Sequence, residues 1–166
     1  MTAADLSADR LREMLHYEPL TGVFTWRVTR CGRAIAGAAA GRVSGGYWKI
    51  NVEGQTHAAH RLAWLYMTGA RPVNVVDHID TDKLNNRWVN LRDIPQTINL
   101  QNRHKARVDN RSAGLLGVSR YPINGKFQAR IQVDGKSRSL GYFATPEEAH
   151  GAYVRAKRQF HEGCTL

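Results

Sequence analysis

The chain has 166 residues, 42% of them hydrophobic and 23% charged, which excludes a wholly disordered protein and suits one ordinary domain or two small ones. Its 24 Lys and Arg against 14 Asp and Glu give a formal charge of +10, a field that attracts polyanions, nucleic acid first among them. No apolar run reaches membrane-spanning length and the first fifteen residues hold no signal-type apolar core, so the expectation is a soluble, intracellular monomer without a membrane partner. Cys31 and Cys164 stand far apart and form no C-x-x-C pair, which removes zinc-ribbon and disulfide frameworks and predicts free thiols.

In chain order, residues 7–16 predict a short amphipathic helix capped by Ser7 or Asp9, with Leu11, Met14 and Leu15 on one face. Residues 23–28 alternate as a strand, and the Gly- and Ala-rich stretch 31–46 has the composition of a loop. Residues 47–52 and 55–58 predict a hairpin about Glu53-Gly54, followed by a helix from His60 to Met67 ended by Gly69. Val75–His78 and Leu91–Ile94 predict two short strands around a polar loop, and Pro95 opens a helix to about His104, giving a ββα unit.

The last third differs. Residues 116–121, 126–133 and 137–143 predict three strands, with turns at 122–125 and Asp134-Gly135. Thr145, Pro146 and Glu148 form a capping-box signal for a helix to about His161. Phe127, Ala129, Ile131 and Val133 should face Ala149, Ala152, Tyr153 and Ala156 of that helix, leaving Gln128, Arg130 and Gln132 as a polar strip on the far side. The predicted fold class is α+β: a ββα unit with an N-terminal β-hairpin region, then a small three-stranded antiparallel sheet with one helix. The expected limits are 1–102 and 113–166, with a basic linker over 103–112. Arg103, Lys105, Arg107 and Arg111 against Asp109 give that linker a net +3, about a third of the total, as expected of a segment lying along phosphates.

The ββα unit places Asp77, His78, Asn90 and Asn99 on consecutive elements, a set suited to phosphodiester hydrolysis. A neutral imidazole takes a proton from water near neutral pH, which assigns His78 as general base. Asp77 and Asn99 offer hard oxygen donors to one divalent ion, which would stabilise the phosphorane and the departing 3′-oxygen. Asn90 is expected to tie the loop to the His78 strand and so fix the ring's tautomer and direction. Asp80 and Asp82 are expected as turn formers, Asn85, Asn86 and Asn102 as local hydrogen-bonders, and His57, His60 and Trp26, Trp48, Trp64 and Trp88 as structural residues. Arg61 is a candidate for a phosphate.

The run VVDHIDTDKLNNRWVNLRDIPQTINLQN resembles the HNH endonucleases, particularly the phage and intron-borne homing type with D-H-I-D-x-x-x-x-N-N-x-x-x-N-L-R and a later Asn. The spacings of 12 residues from His78 to Asn90 and 21 to Asn99 match that pattern, and GYWKINVEGQTHAAHRLAW is similar to the region preceding it. The resemblance implies a ββα-metal nuclease that cuts or nicks double-stranded DNA with Mg²⁺ or Mn²⁺. Asn99 stands where other members carry His, as the homing type accepts.

The C-terminal segment resembles the APETALA-type domain of plant ethylene-response factors, through Gly117-Val118, Phe127-x-Ala129-x-Ile131, Leu140-Gly141-x-Phe143 and Glu148-Ala149-x-x-Ala152-Tyr153. That resemblance implies a sheet lying in the major groove. The residues expected on bases are Arg130 and Gln132, with Ser119, Tyr121 and Ser139 beside them. Arg120, Lys126, Lys136 and Arg138 are expected on phosphates. Two other readings stand beside the enzyme: a non-catalytic DNA-binding regulator, and, more weakly, an RNA-binding protein, for which the sequence shows no exposed aromatic pair on a sheet.

Overall fold

The computed structural model describes residues 6–30, 34–101, 113–161 and 164. Cys31, the end of the helix expected to reach His104, and Arg103, Lys105, Arg107 and Arg111 lie outside the described residues. The chain mixes α and β structure, with small antiparallel sheets and four helices among the described residues. It divides into two compact units, Met1–Pro95 and Gln96–Leu166.

In the first unit, helix α1 (Ala8–Met14) is capped by Ser7, whose side chain accepts the Arg10 N–H at 3.2 Å. The helix stops earlier than its apolar spacing predicted. Leu15 turns extended and begins strand β1 (Leu15–Glu18), which pairs antiparallel with β2 (Val23–Trp26). Pairing places Leu15 and Tyr17 opposite Trp26 and Phe24, and burial of this apolar face outweighs one more helical turn. Within the Gly- and Ala-rich stretch expected as a loop, Arg42–Ser44 forms strand β3, which joins β4 (Tyr47–Val52) and β5 (Gln55–Ala58) in a three-stranded sheet. Glu53 and Gly54 take the paired positive φ angles, 52° and 83°, of a tight hairpin turn.

Helix α2 (Ala59–Thr68) packs Leu62, Ala63 and Leu65 into one core with Leu11, Met14, Leu15, Tyr17, Phe24, Ile50 and Val52. Val76 and Leu91 bring the next strand pair, β6 (Val75–His78) and β7 (Leu91–Ile94), onto this core. The register pairs Asp77 with Arg92 and His78 with Leu91. Asp93 fixes the approach to β6, its two carboxylate oxygens accepting the N–H groups of Val73 and Asn74 at 3.0 and 2.8 Å.

The second unit opens with the short helix α3 (Gln96–Gln101). Its sheet runs in the order β10 (Lys136–Phe143), β9 (Phe127–Val133), β8 (Val118–Arg120), and α4 (Pro146–Phe160) covers one face. Thr145 and Glu148 form the expected reciprocal capping box, with Pro146 at the first helical position. Ala129 and Ile131 face Ala149, Tyr153 and Ala156 in the core, as the strand alternation predicted. Gln128 departs from that pattern: it lies on the far face yet is 4% exposed. A register shift between Ser139 and Gly141 turns both Ser139 and Tyr142 to that face, and the Gln128 amide donates to Ser139 Oγ at 3.2 Å and Tyr142 Oη at 3.1 Å.

Candidate active site

His78 ends β6 and is 4% exposed. Alternation along the strand sends its ring to the side opposite Asp77. The His78 ring lies 5.0 Å from that of His60, edge to face, and 6.5 Å from Tyr47, and Lys83 Nζ sits 4.8 Å from the centre of the Tyr47 ring. His60 is itself buried, and its Nδ1 has no hydrogen-bond partner among the described residues. Burial, followed by the nearby charges of His78 and Arg61, pushes the His60 imidazole down to about 4, so it is neutral at ordinary pH.

The loop from Ile79 to Asn90 closes over a hydrogen-bonded frame built around Asn90. Its backbone carbonyl accepts the Ile79 N–H at 2.9 Å, and its side-chain oxygen accepts the Asp80 N–H at 3.1 Å. The Asn90 amide nitrogen donates to Asp80 Oδ1 at 2.9 Å and to the Asn85 carbonyl at 2.8 Å. Asp80 also accepts from Asn85 Nδ2 and from the Asp82 N–H. Burial opposes ionisation of Asp80, but the bonds from Asn85, Asn90 and the Asp82 backbone outweigh it and hold the carboxyl below its ordinary range. Asp80 and Asp82 therefore act as turn formers and Asn90 ties the two ends of the loop together.

From the loop, Asn86 reaches the His78 ring: it is 3% exposed and places Oδ1 3.3 Å from His78 Nε2. The Asn86 amide is oriented by its other end, since Nδ2 donates to the Leu84 carbonyl at 3.1 Å. A carbonyl accepts only from the NH₂ group, so Oδ1 is the atom that meets His78. Nε2 therefore carries the proton in the neutral ring, and Nδ1 carries the lone pair. Tyr17 Oη donates to the Asn86 backbone carbonyl at 2.7 Å, and the Trp88 N–H bonds the Pro19 carbonyl at 3.0 Å. A Cβ on Gly22 would lie 2.4 Å from the Asn86 carbonyl carbon. The β1–β2 hairpin is thus packed directly against the loop.

Sequence reasoning placed Asn86 among ordinary loop residues and missed Tyr17, Tyr47 and Lys83 altogether. The Asn85-Asn86 doublet was the available signal, but nothing in it distinguishes the residue that turns inward.

Asp77 meets Arg92 across the strand pair, with Arg92 Nε and Nη2 both donating to Oδ2, at 3.1 and 2.9 Å. Asn99 is half-buried on α3. No cluster of three or more His, Cys, Asp or Glu side chains gathers among the described residues. Asp77 offers a carboxylate oxygen and Asn99, which belongs to the second unit, an amide oxygen, each a donor type that a hard divalent cation takes. Arg61 is exposed and lines a cavity with His57 and Arg71.

Residues 57–101 match the HNH endonuclease family. The HNH segment runs from β5 through α3 and contains Asp77, His78, Asn86, Asn90 and Asn99. It leaves out the β1–β2 hairpin and everything after Gln101. Comparison with curated proteins and with solved structures gave no match.

On the second unit, Ser119, Arg130, Gln132 and Ser139 are exposed on the face away from α4, and Arg130 is paired with Ser139. Arg120, Lys136 and Arg138 pair with Phe127, Val133 and Ile131, residues of the helix-facing register. The Arg138 guanidinium lies 5.6 Å from the Phe160 ring centre. Lys126 is exposed ahead of β9. Tyr121 and Tyr142 meet edge to face at 4.7 Å, so the sheet does carry an aromatic pair, which sequence reading had not found. The pair is invisible in sequence because the register shift in β10 creates it. No helix among the described residues is long and apolar enough to cross a membrane.

Proposed function

We propose that the protein is an HNH endonuclease of the homing type, which hydrolyses phosphodiester bonds in double-stranded DNA. One observation carries the reading: within the matched HNH segment, a buried His78 has its Nε2 3.3 Å from the amide oxygen of Asn86, from which it follows that Nδ1 is the basic atom. His78 Nδ1 takes a proton from water as the water oxygen bonds to phosphorus, and the bond to the 3′-oxygen breaks. Asn90 keeps the loop in the shape that presents the ring. Asp77 and Asn99 would hold one Mg²⁺ or Mn²⁺ in a ββα arrangement. Such an ion, when bound, supplies charge stabilisation to the phosphorane and the leaving oxygen.

Residues 1–102 would form the nuclease domain and 103–112 a basic connector, with 113–166 an APETALA-type domain that holds the target. In that domain Arg130, Gln132, Ser119, Tyr121 and Ser139 meet bases. Phosphates are taken by Lys126 and, from the edge strands β8 and β10, by Arg120, Lys136 and Arg138, and elsewhere by Arg61, Arg103, Lys105, Arg107 and Arg111. The +10 charge supports a DNA partner. A second reading, a DNA-binding protein that uses the HNH segment only as scaffold, is favoured by the commitment of Asp77 Oδ2 to Arg92.

The substitution His78→Ala separates them. The nuclease reading expects cleavage to fall by about 10²-fold or more, as for loss of a general base, with DNA binding intact. Equal cleavage by wild type and variant would reject His78 as the base.

A further inference from the structure

We propose that Asn86, anchored by Tyr17, is the positioning residue that sets the His78 ring, so that the N-terminal hairpin outside the HNH segment is part of the catalytic apparatus. The kinetic side of this proposal rests on the nuclease reading; the structural side does not.

Each link is a contact that constrains the next. The Leu84 carbonyl orients the Asn86 amide, and the amide oxygen holds the Nε2–H of His78. The backbone at Asn86 is held from the other side by Tyr17 Oη and by the close approach of Gly22. Tyr17 is 1% exposed, and burial raises its hydroxyl well above the ordinary tyrosine value, so it remains a donor throughout the working pH range. The hydroxyl has no need to reach the site. It fixes the backbone from which the Asn86 side chain extends.

Without Asn86 the His78 ring would keep its edge-to-face contact with His60. That contact limits the tilt of the ring but does not distinguish the two orientations related by a 180° flip about χ2, which exchanges the Nδ1 and Cδ2 positions. The acceptor at Nε2 favours one of them. Asn90, the residue singled out by spacing, bonds Asp80 and Asn85 rather than the ring, so it shapes the loop while Asn86 aims the imidazole.

Two measurements on the full chain test this. In histidine-¹⁵N spectra recorded well above the usual imidazole pKa of about 6.5, His78 (assigned by its loss in His78→Ala) should be protonated at Nε2, with that proton exchanging slowly. Asn86→Ala should speed its exchange. A ring protonated at Nδ1, or an exchange rate unmoved by Asn86→Ala, overturns the proposal whether or not the protein cuts DNA.

In plasmid cleavage, Asn86→Ala should lower kcat about 10–100-fold, the usual effect of removing a group that orients a site residue, with KM unchanged. Asn86→Asp still accepts from Nε2–H and should recover a large part of that loss, whereas equal losses in Ala and Asp would indicate a merely structural residue and overturn the assignment. Should Asn86→Ala fail to fold, Tyr17→Phe removes a single hydroxyl and decides the anchor: kcat falls several-fold at constant KM, or the hairpin has no such role.

Discussion

His60 holds a conflict within one side chain: a polar ring, buried, with one nitrogen unbonded among the described residues and a second imidazole at 5.0 Å. Such a group is tolerated only when neutral, and burial together with His78 and Arg61 keeps it so. In the unfolded chain it titrates near the usual value of about 6.5, and in the fold at about 4. Because the folded value is the lower one, its contribution to stability is complete above about pH 6.5 and is lost as the pH falls toward 4. Urea melts followed by tryptophan fluorescence report the first unit, since Trp26, Trp48, Trp64 and Trp88 all lie there. Wild type should be less stable at pH 5 than at pH 7, and His60→Phe should reduce that difference and cost little at pH 7. An unchanged pH difference in the variant would show that His60 is not the group responsible. Asp80 behaves likewise at lower pH, its hydrogen-bonded carboxylate supporting the loop until acid protonates it.

Two elements, the loop 79–90 and the hairpin β1–β2, meet at Gly22, where φ is +77° and the backbone of Asn86 and Arg87 leaves no room for a side chain. Gly22→Ala adds a clash to the left-handed strain and should destabilise the first unit by about 1–3 kcal/mol or more. Gly37→Ala has a similar φ of +84° but meets nothing within 4 Å, and should cost only the backbone strain of roughly 1–2 kcal/mol. Equal losses in the two would mean that hairpin and loop are not in register as described.

Such contacts mark the limit of what the sequence shows. The spacing of His78, Asn90 and Asn99 was legible because a strand, a loop and a strand fix it locally. Turns such as Glu53-Gly54 and Asp134-Gly135, and the Thr145 capping box, were legible for the same reason. Leu11, Met14 and Leu15 carry a helical period, but Leu15 is claimed by pairing with Trp26, a long-range contact that no local pattern reports. Asn86 was missed on the same ground: its inward turn depends on Tyr17, 69 residues earlier. Gln128 does lie on the face away from the helix, as alternation predicts, but its burial there follows from the register shift in the neighbouring strand, which local alternation does not report.

For the whole molecule, the +10 charge is the property that bears on a polyanionic partner. The proposed phosphate contacts of segment 103–112 can be tested by charge removal. Replacing Arg103, Lys105, Arg107 and Arg111 with Gln should weaken DNA binding and lower the slope of log K against log salt by up to about 0.9 per lost phosphate contact. An unchanged slope would remove these four residues from the interface. Hydrolysis is the more basic claim, and wild-type protein tests it most directly on supercoiled plasmid, with Mg²⁺ or Mn²⁺ and with excess chelator. Conversion to nicked or linear DNA with the ion, abolished by chelator, is the predicted result. Plasmid left intact under every divalent ion, by protein that still shifts the same DNA on a gel, would contradict it.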